Sequence, residues 1–412
     1  MKNRDILISG ASVAGPALAY WLRRYGFRPT VVERAPAPRD GGQAIDLWGA
    51  ARDAAERMGL LDDIRRAHTG ARGLAFVDSA GTRVARMSAD LLGHSGGAIA
   101  DIEILRGDLV RILHAATRAD VEYIFDDAIA ALTQDDDGVT VTFERGAPRR
   151  FDLVVGADGL HSAVRALAFG EESRFIRDLG AYTAIFTTAT ALDLEGWELM
   201  HNTPGKNGVR GKTAALYPLR ATTEAKAMFV FASPPLPYDR RDIERQKEIV
   251  AQAFTGEGWE VPRMLAAMWE VPDFYFDRVS QVHMDRWASG RAVLVGDAGY
   301  SPSPMAGVGT SLALVGAYVL AGELAAAAGD HAAAFARYES EMRAYVTQGQ
   351  KLAKGTAIGL IPRSRAQMWM RNQAIRALPY LPWRGVIAGG VQKASTAITL
   401  KDYCYEALAQ MA

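Results

Sequence analysis

The sequence predicts an α/β fold in which a doubly wound unit is interrupted by a β-rich insertion and followed by a C-terminal helical region. Three features lead there: a strand, a glycine turn and a helix within residues 5–25; the return of a buried-strand pattern at residues 291–296; and, between them, a β-type texture over residues 180–272 broken by prolines, as at 233–237. Strand, helix and second strand make the parallel building block, and its resumption after a gap places an insertion in between.

The elements follow in order. Asp5–Ser9 is a short apolar run, residues 10–15 form the turn, 16–25 a helix and 29–33 a second strand. Residues 40–46 read as a polar, glycine-bearing loop, and 49–58 as a helix that Gly59 ends. Another helix begins near Arg106, and 121–125 with 139–143 read as strands of a small antiparallel element around a turn at 135–138. The unbroken apolar run 151–156 is the pattern of a strand buried on both faces. Strands are expected at 182–190, 213–219 and 227–232, and helices at 312–328, 332–354, 363–378 and 399–411. The resulting organisation is a discontinuous unit, 1–179 with 273–330, a β-rich unit, 180–272, and a helical region, 331–412, packing on both.

Composition narrows the function classes. With 412 residues and 49% hydrophobic side chains the chain buries a large core, and 47 basic against 47 acidic residues leave no net field to recruit nucleic acid or an anionic membrane. A lone cysteine, Cys404, leaves no intrachain disulfide and no cysteine-built metal site, and the seven histidines show no close spacing, so no metal is expected. The single cysteine fits a reducing, cytoplasmic location. The apolar start carries Asp5, Gly10 and Gly15 where a strand-to-helix turn needs them, which reads as a mature N-terminus rather than a leader. The apolar stretch 312–328 contains Glu323 and reads as a buried helix, not a membrane span. A monomer or weak homodimer is expected.

Gly10-Ala-Ser-Val-Ala-Gly15 is a G-x-S-x-x-G turn of the Rossmann type. Gly10 permits the tight turn, Ser12 is small enough for backbone amides to approach a pyrophosphate, and Ala14 and Gly15 let the helix pack closely. Glu33 ends the second strand 23 residues after Gly10, where a carboxylate accepts from both hydroxyls of an adenosine ribose and repels a 2'-phosphate. That favours FAD or NAD over NADP at this turn, although glycine turns also open folds that bind no nucleotide.

Two later segments are more specific. Asp152-Leu-Val-Val-Gly-Ala-Asp158-Gly-Leu-His-Ser162-Ala-Val-Arg165 resembles the Asp-Gly motif of group A FAD-dependent monooxygenases, the family of para-hydroxybenzoate hydroxylase and the tetracycline-inactivating monooxygenases. Gly290-Arg-Ala-Val-Leu-Val-Gly296-Asp297-Ala298 is similar to that family's Gly-Asp motif, and Pro304-Met-Ala-Gly307-Val308-Gly309 to its P-x-x-G-x-G segment. Two departures stand out: Ser12 in the glycine turn, and Thr310-Ser311 where many members carry an asparagine nearby.

The resemblance implies a Rossmann-like FAD-binding domain with the β-rich unit beside it. It implies FAD contacts from Glu33, Arg34, Asp46, Arg106 and Asp297, and a joint role for Asp158 in FAD and NAD(P)H binding. Arg39 occupies the place of an arginine for NADPH. Pro304 and Gly307 lie near the flavin ring, and the backbone of Val308 and Gly309, opening a helix, offers N–H groups to negative charge there. Arg165 reads as a structural ion-pair arginine. NADPH or NADH is implied as a transient electron donor, with O2 and an aromatic or polycyclic small molecule as the other reactants. In this family oxygenation runs through a flavin C4a-hydroperoxide, so the cofactor carries the chemistry and no acid or base is assigned. Phe186, His201, Tyr217, Met228 and Phe231 are candidates for the substrate walls, since a flat organic molecule needs apolar and aromatic surfaces with a few polar anchors. Two other readings stay open: an FAD-dependent reductase or dehydrogenase without oxygen insertion, and a flavin-fold protein that only binds a small molecule. A flavin-dependent halogenase is disfavoured because no W-x-W-x-I-P segment is present.

Overall fold

The computed structural model describes residues 2–39, 41–88, 102–205, 211–219, 223–380 and 397–403, the side chains of 354–360 excepted. The segment expected as a last helix, 399–411, therefore lies mostly outside the described residues, as does Cys404.

A six-stranded sheet is ordered Ala288–Ser289, Ala292–Leu294, Leu153–Gly156, Asp5–Ser9, Arg28–Glu33, Glu122–Phe125. Its pairs are parallel except the first. Three of the sequence motifs therefore leave the carboxyl ends of adjacent strands: the glycine turn after Ser9, Asp158 after Gly156, and Asp297 after Leu294. The chain switches sides at Asp5–Ser9, and the crevice at such a switch point is where open parallel sheets hold ligands.

Glu122–Phe125 does not pair with Val139–Phe143, as the sequence had suggested. It runs parallel to Arg28–Glu33, while Val139–Phe143 is the middle strand of a separate three-stranded sheet with Ile129–Gln134 and Arg149–Phe151. The aromatic rings of Tyr123 and Phe125 pack on His114 of the Arg106–Ala115 helix, a tertiary contact that fixes this edge.

The second sheet has seven strands, ordered Tyr275–Val282, Ile176–Ala189, Glu224–Ala232, Lys212–Pro218, Trp197–Thr203, Gly73–Val77, Arg83–Ser88. The span 180–272 is thus too narrow for the β-rich unit, which borrows two strands from the first quarter of the chain. Gly73–Val77 pairs parallel to Trp197–Thr203, a partner more than a hundred residues away that no local pattern reveals. One face of this sheet packs under the helices Ile243–Phe254 and Val261–Met268. The other turns toward Met305 and toward the helix Arg365–Ala377.

The helix Gly309–Ala326 is apolar and long enough to cross a membrane by composition, yet 83% of it is buried inside the protein. It packs on the helices Ala14–Arg24, Ala50–Arg57 and His331–Leu360. Its one carboxylate, Glu323, accepts from Lys401 Nζ at 3.0 Å and Tyr403 OH at 2.9 Å.

Candidate cofactor and substrate site

The glycine turn is built for close approach. Gly10 has φ +105°, and a Cβ there would meet the Ala157 carbonyl oxygen at 2.5 Å. A Cβ on Gly15 would be driven into the Gly10 carbonyl. Ser12 is half-buried in the bend, and Ala14 starts the helix. Glu33 is locked onto this turn: Oε2 accepts from the Ala11 N–H at 2.8 Å and Oε1 from the Ala35 N–H at 2.9 Å. Arg39 bonds Glu33 Oε1 at 3.3 Å from a largely exposed position, whereas Arg34 points to Glu144 at 3.7 Å on the surface.

Asp158 turns inward. Its Oδ2 accepts from Ser9 Oγ at 3.3 Å and the Val164 N–H at 3.1 Å, while Oδ1 has no hydrogen-bond partner among the described residues. Burial raises the pKa of this carboxyl against the pull of Ser162 and of the backbone N–H groups around Val164. Arg165 is a staple between motifs. With no exposed surface, it donates to the Ala298 carbonyl at 2.8 Å, the Leu160 carbonyl at 2.6 Å and Glu172 at 3.2 Å, tying the Asp-Gly segment to the Gly-Asp segment.

Arg106 opens the Arg106–Ala115 helix and lies over Gly42, where a Cβ would sit 2.6 Å from its Nε. That Nε is buried without a hydrogen-bond partner among the described residues. Burial, then the charge of Arg39, lowers the Arg106 pKa; Tyr275, Asp297 and Glu33 oppose this. Arg106 is therefore the point where the glycine turn, the Gly-Asp motif and the β-rich unit come within electrostatic reach. Asp297 is wrapped by protein, and burial raises its pKa against Ser301 and Arg106, yet the residue keeps exposed surface. Tyr275 combines the same two properties at 43% exposure, with its hydroxyl 3.3 Å from Asp277. Asp297 and Tyr275, both with exposed surface and both within electrostatic reach of Arg106, border one hollow near the carboxyl ends of the parallel strands.

The loop after Asp297 shapes its wall. Ser303 holds φ +85°, which a serine adopts only under constraint, and its Oγ accepts from the Met305 N–H at 3.3 Å. Pro304 starts a single 3-10 turn that ends at Gly307 in the left-handed region, φ +66°. Val308 then caps the helix that begins at Gly309. Pro304 and Gly307 are exposed to the hollow side, and Asp46 lies across it, with Oδ2 3.8 Å from where a Gly307 Cβ would stand. Asp297 Oδ1 is 3.7 Å from the corresponding point on Gly309.

The substrate-wall candidates divide by strand parity. Phe186 and Phe231 are buried in the cluster under the helices Ile243–Phe254 and Val261–Met268, on the sheet face turned away from Met305 and Pro304. His201 shares that face, its ring tilted beside Trp259 and Nδ1 3.3 Å from the Val77 carbonyl. These three belong to the core, because adjacent residues on a strand point to opposite faces. Met228 is on the other face with Val230 and Met305, and Tyr217, one strand over, also points there. Sequence reasoning missed Tyr275 and Glu198 on this inner side; neither sits in a motif, and only the sheet register brings them in.

The FAD binding domain family model matches residues 3–353. A flavin-dependent monooxygenase from an unknown prokaryotic organism is 41% identical over 404 residues, covering 97% of this chain and 99% of that protein. The chain belongs to the group A FAD-dependent monooxygenases. A flavin-dependent monooxygenase of Legionella longbeachae is 42% identical over 350 residues, covering 85% of this chain and 88% of that protein. The crystal structure of tetracycline destructase Tet(55) superposes with a TM-score of 0.82 at 40% identity, covering 98% of this chain and all of that one. This monooxygenase thus works with FAD, NAD(P)H, O2 and a small-molecule substrate. Its residues fit the cofactor: a glycine cradle that a Cβ would fill, and two buried polar atoms, Asp158 Oδ1 and Arg106 Nε, held without partners among the described residues.

Proposed function

We propose that this monooxygenase oxygenates a flat aromatic or polyketide-like molecule held between the inner face of the seven-stranded sheet and the Pro304–Ala306 turn. The observation that carries the reading is the hollow itself: Asp297, Pro304 and Gly307 border it from one side, and Tyr275, Met228, Val230 and Tyr217 belong to the sheet face opposite. The likeness to a tetracycline destructase supports the polyketide option.

In this reading Glu33 accepts from the adenosine ribose and the amides of Gly10, Ser12, Ala14 and Gly15 line the pyrophosphate. Arg106 and Asp297 hold the polar chain, Asp158 its neighbouring turn, and Asp46 faces the ring system. Bound FAD supplies redox chemistry that no side chain offers. The chain's contribution is placement and electrostatics. The free N–H groups at the start of Gly309–Ala326 present partial positive charge where negative charge develops on reduction. Pro304, lacking an N–H, gives that wall a stiff and aprotic surface, and the sheet face excludes water from the reacting edge. Arg39, exposed beside Glu33, is positioned for a transient nicotinamide donor, and Arg34 for the rim of the adenosine site. A cytoplasmic location and a monomer or weak dimer complete the proposal.

The test is incubation of purified protein with NAD(P)H, isotopically labelled O2 and a panel of phenols and tetracyclines. Substrate-accelerated NAD(P)H consumption with one labelled oxygen in the product supports the reading. Consumption that no compound alters, with label found only in peroxide or water, refutes it.

A further inference from the structure

Three carboxyl side chains from three strands meet on the inner side of the site. Asp46 and Glu103 are direct cross-strand partners between Ala44–Leu47 and Ile102–Leu105, which puts their side chains on one face. Glu198, from Trp197–Thr203, reaches across into the neighbourhood of Glu103. Glu103 also accepts from the Thr69 hydroxyl. Two buried carboxyl groups so close repel one another when both are ionised, which favours one shared proton and a single negative charge on the pair. Burial, then the charges of Glu103 and Asp46, pushes the Glu198 pKa well above the usual carboxylate range. Glu198 is half-buried and shares its sheet face with Met200 and Tyr217, which turns it toward the hollow.

A second and independent feature points to a ligand. Tyr217, on the neighbouring strand and the same face as Glu198, is 7% exposed, and its hydroxyl has no hydrogen-bond partner among the described residues. Its electrostatic neighbours are Glu198 and Glu103. A hydroxyl of a buried residue that reaches open space beside an acid pair is a polar end with unused capacity. Farther along this face stands a cation: the Arg371 guanidinium lies 3.7 Å from the centre of the Phe76 ring, and burial lowers its pKa to about 10. Among the described residues, the groups facing Glu198 itself are Glu103, Asp46 and Tyr217.

We propose that the row Asp46, Glu103, Glu198 and Tyr217 is the specificity-determining end of the substrate chamber, and that it selects an aromatic or polycyclic substrate bearing a basic amino group. The inference rests on the monooxygenase chamber described under the proposed function. An ammonium group arriving beside the pair favours ionisation of both carboxyls and releases their shared proton, while Tyr217 bonds to the same end of the ligand. A neutral isostere gains nothing there, and a carboxylate meets like charge.

The experiment measures binding to the FAD-loaded enzyme without NAD(P)H, so that its outcome is independent of turnover and oxygen incorporation. Tetracycline is compared with 4-dedimethylaminotetracycline, and tyramine with 4-ethylphenol, in wild type, Glu198→Gln and Glu103→Gln. Flavin content and circular dichroism report folding, and either variant alone suffices if the other misfolds. The amine-bearing member of each pair is expected to bind about tenfold tighter in wild type, the effect of one charge-assisted contact. In both variants that preference falls to less than about threefold, and the proton release seen in weak buffer on binding disappears. Equal binding within each pair in wild type, an undiminished preference in both variants, or no binding by either amine overturns the proposal. Failure of the oxygen-label test with the binding preference intact strikes the monooxygenase reading of the site and leaves the acid row standing.

Discussion

Arg165→Met removes a buried side chain that ties the Asp158 segment to the Asp297 segment. Arg165 has no exposed surface and makes three charge-assisted hydrogen bonds, to Ala298, Leu160 and Glu172. Breaking a buried ion pair from one side costs about 3–5 kcal/mol, chiefly from groups left unpaired. The lower end applies here, because Glu172 is partly exposed and keeps His161 at 3.1 Å and Arg240 at 3.5 Å. The two orphaned carbonyls supply the remainder, at about 1–3 kcal/mol each before relaxation. Urea unfolding of the FAD-loaded protein is expected to show stability reduced by about 3 kcal/mol with little change in slope. Flavin retention falls with it, since Asp297 loses its fixed relation to Asp158. Arg165→Lys recovers only part of this, because an ammonium lacks the planar fork that spans three acceptors. A stability within about 0.5 kcal/mol of wild type for Arg165→Met refutes the staple.

Further predictions concern the sheet faces and pH. Phe186→Ala lowers stability by about 3–5 kcal/mol through a cavity under the covering helices; substrate affinity per folded molecule stays at the wild-type value, and a selective loss of affinity refutes its assignment to the core. His161 lies between Asp277 at 2.9 Å and Glu172 at 3.1 Å; burial lowers its pKa, but those two carboxylates outweigh burial and raise it overall. With the folded pKa above the unfolded value near ~6.5, its stabilisation is complete below that pH and is lost as pH rises through the folded pKa. Chemical denaturation from about pH 6 to 9 therefore shows a decline that His161→Gln flattens, and identical slopes in the two proteins contradict it.

The nucleotide unit was legible because its signals are local. Gly10 and Gly15 declare a backbone with no room for a Cβ, and the apolar runs of Asp5–Ser9 and Leu153–Gly156 declare strands buried on both faces. The β-rich unit was legible only in part. Which residues of a strand face the hollow depends on register, so the sequence signal of Tyr217 and Met228 is the same as that of Phe186, His201 and Phe231, which point the other way. The borrowed strand Gly73–Val77 and the convergence of Asp46, Glu103 and Glu198 depend on partners distant in sequence. Periodicity within one segment carries no information about them.

In the proposed function, motifs from separate strand ends grip one FAD. The direct measurement is the flavin-to-protein ratio, by absorbance after gel filtration, of wild type, Glu33→Ala and Asp297→Ala. Wild type should retain flavin, and each variant should lose most of it, as expected when a charge-assisted contact worth about 1.5–3 kcal/mol is removed from the cofactor. Full flavin occupancy in both variants, with the fold intact, contradicts the account.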